Sequence, residues 1–381
     1  MKKTILLIIL LVISLFTFTG CYYTNGIDQY YFIISLGLDI SDNGLLKISI
    51  QTSSNSSESS SSESSGSSQP SSYKIYSVEA KTIDEGLNIL DNYLNKKINL
   101  SHCSALIISE ELAKKGIKTY ISTLSNNPEL RHSCQIIISS GTAYDVMNKV
   151  SNSGETFSAR LYDYLTRTAE YTGFTIETSF GQFYQALDND YYQPTAVYTL
   201  VSEDTIQTAG FAIFKEEYMV GNLDVSNSIA HLMVTNDLDT CIITTDNPFD
   251  ASNKVDLEIG LYKRTDISID VINGTPYISI TIFPEGTVRS SGSSFNFIED
   301  KNITTLENTT NDYLENLLKE YLYNISKKYN SDIAGFKALY KSEFFTRDEF
   351  EKIHWNDIFQ DSFFEIKVNT RINSSNLYSK E

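Results

Sequence analysis

The chain is poor in the side chains that most enzymes and metal proteins rely on. Among 381 residues there are four histidines and four cysteines. No His-Glu-x-x-His, phosphate loop, nucleophile elbow or dinucleotide fingerprint occurs, so the common metalloprotease, nucleotide-binding, hydrolase and dehydrogenase chemistries have no motif to act through. Positive charge is also short. Thirty Lys+Arg against 48 Asp+Glu give a net charge of −18, and no basic run offers a local exception, which disfavours nucleic acid as a partner. The same sign repels an anionic lipid surface, so membrane contact needs another device. Beyond residue 18 no apolar run is long enough to span a bilayer. What remains, with 41% hydrophobic, 12% aromatic and 20% charged residues, is the composition of a folded globular protein with room for two or three cores.

The device appears at the start. Lys2-Lys3 precedes an apolar stretch from Ile5 to Phe18, about 14 residues, and then Thr19-Gly20. That is the layout of an export signal over residues 1–20, too short for the roughly 20 residues of a spanning helix. Cys21 follows directly. Phe18-Thr19-Gly20-Cys21 resembles the bacterial lipobox, in which the cysteine is acylated and becomes the mature N-terminus. Loss of Lys2 and Lys3 takes the charge from −18 to −20. Three cysteines then remain, Cys103, Cys134 and Cys241. That odd, small number argues against a disulfide scaffold and leaves a Cys103–Cys134 bridge open.

Hydrophobic periodicity predicts an α+β protein in which mixed and antiparallel sheets pack against helices. Strands are expected at Tyr30–Ile40, Leu45–Thr52 and Tyr73–Val78. Between the last two lies Ser53–Ser72, with 14 serines in 20 residues, read as an expanded loop within one sheet because closure entropy grows only logarithmically with length. Thr82-Ile83-Asp84-Glu85 opens a helix as a capping box. Ala105–Ile108 and Ile136–Ile138 are buried strands, with helices at Glu110–Lys115, from there to Ser125, from Gly141 to Val150, at Thr156–Glu170 and at Ser179–Leu187. The pattern relaxes at Tyr191–Pro194, which places a boundary near 195–205 between an N-terminal region (21–200) and a C-terminal domain (205–381).

In the second part Thr208–Phe214 with Met219-Val220 form a hairpin, followed by a helix at Val225–Thr235. Strands follow at Cys241–Thr245, Val255–Tyr262, Ile267–Ile272 and Tyr277–Phe283, the last two joined by an Asn273-Gly274 type I′ turn. The longest helix runs from Thr305 to about Tyr329. A shorter one covers Ala334–Tyr340, another runs from Thr346 to Trp355, and a final strand spans Phe364–Ile372.

The best metal constellation is His102-Cys103 with His132-Cys134, but adjacent residues on a strand point to opposite faces, so capping or core-edge roles are expected instead. Glu110-Glu111 and Glu216-Glu217 read as solvated helix and turn charges. Several segments together resemble the C subunits of bacterial spore nutrient-germinant receptors, the Ger(x)C family. After Cys21 come Gly26-Ile27-Asp28 and a strand ending Gly37-Leu38-Asp39. His102 through Ile108, Ser109-Glu110-Glu111-Leu112-Ala113-Lys114-Lys115-Gly116-Ile117 and Asn127-Pro128-Glu129-Leu130-Arg131 form the most specific block. Ala209-Gly210-Phe211-Ala212-Ile213-Phe214-Lys215 with Met219-Val220-Gly221 resembles the family's hairpin. Asn126-Asn127, Tyr22-Tyr23 and the serine insertion depart from its pattern.

The resemblance implies a non-catalytic subunit without cofactor or metal. It would be lipid-anchored through Cys21 on the outer surface of the spore inner membrane, and would dock with membrane A and B subunits in sensing small nutrients. Structural or interface roles fall on Asp28, Gly37, Asp39, His102, Glu110, Glu111, Pro128, Glu129, Arg131, Gly210, Phe214 and Gly221. The competing reading is a stand-alone solute-binding lipoprotein.

Overall fold

The computed structural model describes residues 3–5, 26, 29–53, 73–151, 164, 169–175, 177–189, 191–202, 205–291, 300–342, 344, 346, 350 and 352–373. Cys21, Asp28, the serine tract beyond Ser53 and most of the expected Thr156–Glu170 helix lie outside them.

The first sheet contains nine strands among the described residues. They are β1 (Tyr30–Ile40), β2 (Leu46–Ser53), β3 (Tyr73–Ala80), β4 (Lys97–Asn99), β5 (Ala105–Ser109), β6 (Gln135–Ser139), β7 (Thr195–Val201), β8 (Ile206–Lys215) and β9 (Tyr218–Asn222). Their order is β3-β2-β1-β5-β6-β7-β8-β9, with β4 beside the start of β1. The centre is parallel (β1, β5, β6, β7) and both flanks are antiparallel. Parallel strands need covering on both faces, and the apolar runs supply it. Leu106 and Ile108 enter the large core of one face, whereas Ala105, Ile107 and Ile137 pack on the other against Ala143, Val146 and Met147. β2 and β3 pair up to Ser53↔Tyr73, so the serine tract connects two neighbouring strands of one sheet, as its flanks suggest.

Among the described residues five helices accompany this sheet: α1 (Ile83–Leu94), α2 (Glu110–Lys115), α3 (Lys118–Ser125), α4 (Ala143–Ser151) and α5 (Phe180–Asp188). Their starts follow local chemistry. The Glu85 N–H donates to Thr82 Oγ1 at 3.2 Å, while the Glu85 carboxylate accepts from the Lys81 N–H, one residue before the cap. Ser179 and Gln182 form both arms of a capping box at α5.

The second sheet has five strands among the described residues: β10 (Thr240–Asp246), β11 (Lys254–Ile272), β12 (Thr275–Ser291), β13 (Phe363–Val368) and β14 (Arg371–Asn373). Packed with it are α6 (Val225–Thr235), α7 (Asp300–Tyr323), α8 (Phe336–Lys341) and α9 (Trp355–Ile358). Asn273 and Gly274, at φ 52° and 81°, make the expected turn between β11 and β12. Leu314, Leu317, Leu318 and Tyr321 of α7 face the second core, as their spacing predicts.

Three expectations need correction. The strands expected at Val255–Tyr262 and Ile267–Ile272 are one strand, β11. The polar run Lys263–Asp266 reads as a break, but here the register shifts as the ribbon bends while pairing continues. The final strand is two, because the ladder is interrupted at Asn369-Thr370 before pairing with β12 resumes. Trp355 begins a helix instead of ending one, with His354 before it at φ 45°; residues 347–349 lie outside the described set. The first sheet runs on to Asn222, so β8 and β9, which follow the boundary expected near 195–205, are paired into the sheet of the N-terminal region. A relaxed hydrophobic pattern marks a loop, and a loop joins strands of one sheet as readily as it joins domains.

Candidate interdomain site

β8 is the joint between the two cores. Its side chains alternate, and each face is apolar: Ala212 and Phe214 enter the first core, Phe211 and Ile213 the second. The strand is pinned where the family-like residues stand. Gly210 sits at φ 96° in a bulge opposite Tyr198, where a Cβ would meet the Ser228 Oγ at 2.5 Å and the Leu223 carbonyl. Phe214 is fully buried, edge-on to Phe183 at 5.1 Å, and its carbonyl accepts from Ser331 Oγ at 2.5 Å. Gly221 leaves room for the Tyr329 ring, whose Cζ lies 2.6 Å from where a Cβ would stand. Gly210, Phe214 and Gly221 are therefore brought together, and each touches an element of the second core.

Asp332 follows Ser331 and is 5% exposed. Its carboxylate accepts from the N–H groups of Phe336 (3.0 Å) and Lys337 (2.7 Å) and from Trp355 Nε1 (3.0 Å). Burial outweighs those donors and pushes its pKa up to about 6. In the same core, His231 Nδ1 lies 2.8 Å from the Tyr321 hydroxyl, and burial pushes its pKa down to about 4. Neither residue stands out in the sequence, because each isolated polar letter gains its meaning from surroundings supplied by distant segments.

Beside Trp355 the two halves line an open cleft of about 600 Å³. Asp188, Tyr191 and Glu216 line it from the first half, and Lys337, Trp355 and Asp357 from the second. Lys337 Nζ donates to Asn356 Oδ1 at 3.4 Å. Three carboxylates, one ammonium and aromatic walls suit a small polar molecule better than an apolar one.

The remaining family-like residues serve the first sheet. The buried Asp39 carboxylate accepts from the Ala143 N–H (2.7 Å) and the Tyr144 N–H (3.2 Å), fixing the start of α4; burial raises its pKa against these bonds. Gly37 lets α4 approach, since a Cβ would fall 2.9 Å from that of Ala143. Burial raises the Glu110 carboxyl, but the Lys114 ammonium and the Tyr198 hydroxyl outweigh it and hold its pKa low. Glu111 pairs with Lys115 at 2.9 Å on the surface.

His102 stacks on Phe32 at 4.6 Å, while His132 stacks on Phe180 at 6.3 Å, so the four-residue metal constellation does not converge. Among the described residues no group of three or more His, Cys, Asp or Glu is placed to hold a metal. Cys103 and Cys134 are free, buried thiols with sulfurs 4.0 Å apart. Glu129 accepts from the Leu100 N–H at 3.3 Å, and Pro128 and Arg131 are exposed in the same loop.

The joint divides the chain where known relatives divide. Residues 24–201 match the family described as spore germination protein N-terminal domain, and residues 209–376 match spore germination B3/GerAC like, C-terminal. The chain belongs to the Ger(x)C family of spore germination proteins. Spore germination protein KC of Bacillus subtilis (strain 168) is 20% identical over 333 residues, 82% of this chain and 81% of that protein. The putative spore germination protein YfkR of the same strain is 28% identical over 149 residues, only 39% of this chain and 38% of YfkR. The crystal structure of the GerBC protein has the same fold, with a TM-score of 0.58 at 17% identity, covering 89% of this chain and 96% of that one. Thus β8, which opens the second family segment, is hydrogen-bonded into the sheet of the first.

Proposed function

We propose that this Ger(x)C protein is a non-catalytic subunit of a spore nutrient-germinant receptor. In this reading residues 1–20 are removed and Cys21 carries the acyl anchor. The N-terminal region (21–200) and C-terminal domain (205–381) dock, as one body, with the membrane A and B subunits on the outer surface of the spore inner membrane. The observation that carries the reading is the match to both family segments over nearly the whole chain. The shared strand β8 supports the docking role, because two cores fastened through Phe211, Ile213, Ala212 and Phe214 present fixed surfaces to partners. Tethering raises effective concentration, so modest interfaces suffice. No described helix is long and apolar enough to cross a membrane, and two acyl chains on Cys21 give stable anchoring.

Co-purification of tagged A and B subunits with this chain from spore membranes tests the reading. Both are expected with the wild type, and Cys21→Ala is expected to leave the membrane fraction. Failure of either subunit to co-purify would overturn the docking role. The interdomain cleft favours a second reading, a stand-alone solute-binding lipoprotein. Calorimetric titration of the purified chain with amino acids separates the two: tight binding without partners supports the second and counts against the first.

A further inference from the structure

The start of β1, the end of α1 and β4 meet at one end of the first sheet, which differs in character from the rest of this acidic chain. Lys97 Nζ lies 6.0 Å from the Tyr30 ring centre, and Lys96 Nζ lies 5.0 Å from that of Tyr31. Tyr31 continues through Tyr76 to Tyr93 by edge contacts of 6.4 and 6.3 Å. Tyr93 is 72% exposed, and Ile89, one helical turn before it, is 41% exposed.

The strand directions bring further cations to this end. Lys74, the second residue of β3, stands here, and the loop before β6 adds the exposed Arg131. Lys74, Lys96, Lys97 and Arg131 stand against Asp91 and Glu129, and both carboxylates already accept backbone N–H groups, of Ile98 and Leu100. In a chain of net charge −18, this end gathers four cations beside the exposed Tyr93 and the half-buried Tyr30, Tyr31 and Tyr76.

The tether arrives at the same place. Gly26 accepts from the Gln29 N–H just before β1. Cys21 stands five residues earlier, and five extended residues reach at most about 18 Å. We infer that this end, with Tyr93, Ile89, Lys96 and Lys97 at its tip, lies against an anionic phospholipid surface and sets how the anchored protein stands on its membrane. Tyrosine rings settle at the headgroup level, and long lysine side chains reach lipid phosphates. The inference rests on acylation at Cys21.

The test uses the full acylated chain reconstituted in anionic vesicles with brominated acyl chains, with flotation and tryptophan fluorescence read on the same sample. The native chain has one tryptophan, Trp355, which is 2% exposed in the other domain and serves as the internal control. Y93W adds a second at the proposed contact. The expected result is flotation of both proteins, quenching of the added Y93W emission and none of Trp355. K96Q/K97Q in the Y93W background is expected to lower the face-down population about fivefold per lysine on anionic vesicles, and to leave it unchanged on neutral ones. Flotation without quenching of Y93W overturns the membrane face while the anchor stands, and means that this end is turned toward solvent or a protein. If the chain does not float, the anchor reading fails and the proposed face fails with it.

Discussion

Two buried titratable groups of the second core, Asp332 and His231, should oppose each other in pH. Asp332 moves from 3.8 to about 6 and His231 from 6.5 to about 4. Each shift exceeds two units, and at 1.36 kcal/mol per unit each is worth about 3 kcal/mol of stability. The signs differ. Folded Asp332 holds its proton more tightly than the unfolded chain does, so its contribution is complete below about 3.8 and is lost as pH rises through about 6. Folded His231 holds its proton more weakly, so its contribution is complete above about 6.5 and is lost as pH falls through about 4. Across pH 4 to 6.5 the two nearly cancel, and the wild type should show little net slope from this pair.

Single substitutions unmask the slopes. D332N removes one term, and stability should then rise by about 3 kcal/mol from pH 4 to 7. H231Q removes the other, and stability should fall by about the same amount over that range. D332N also carries a constant penalty of about 1–3 kcal/mol, because one amide oxygen cannot serve the three donors that the carboxylate serves. The slope, not the offset, is therefore the readout. Urea unfolding followed by Trp355 fluorescence suits the measurement, because the indole donates to Asp332 itself. If D332N and H231Q both keep the wild-type slope, the assignment of these charges to burial is wrong.

Other outcomes follow from the joint and the first sheet. Phe214→Ala should cost about 3–5 kcal/mol by equilibrium denaturation, since the ring is fully buried. Gly221→Ala should cost about 1–3 kcal/mol through the Tyr329 ring, and Y329L added to it should recover part of the loss. Asp39→Ala should cost about 2 kcal/mol by orphaning two amides at the start of α4, with early loss of amide-exchange protection there. Replacing residues 54–72 with a short Asn-Gly turn should raise stability by about 2 kcal/mol, the closure entropy of a long loop; a fall of several kcal/mol would mean that the tract packs.

Local chemistry is what the sequence by itself determined here. The cap at Thr82, the box at Ser179, the Asn273-Gly274 turn and the apolar runs of β5 and β6 depend on neighbours a few residues apart, so they can be read from the letters. The family-like residues were legible for the same reason, although their roles were not. Gly210, Phe214 and Gly221 look like parts of one hairpin, and only the tertiary structure shows each meeting a residue from beyond Leu223. β8 reads as an ordinary apolar strand, yet its two faces serve different cores, because alternation alone does not say what lies on either side. The pKa shifts of Asp332 and His231, and the meeting of Tyr31 with Tyr76 and of Tyr76 with Tyr93, were likewise decided only by folding. Burial and proximity come from segments far apart in the chain, and no short stretch of sequence carries that information.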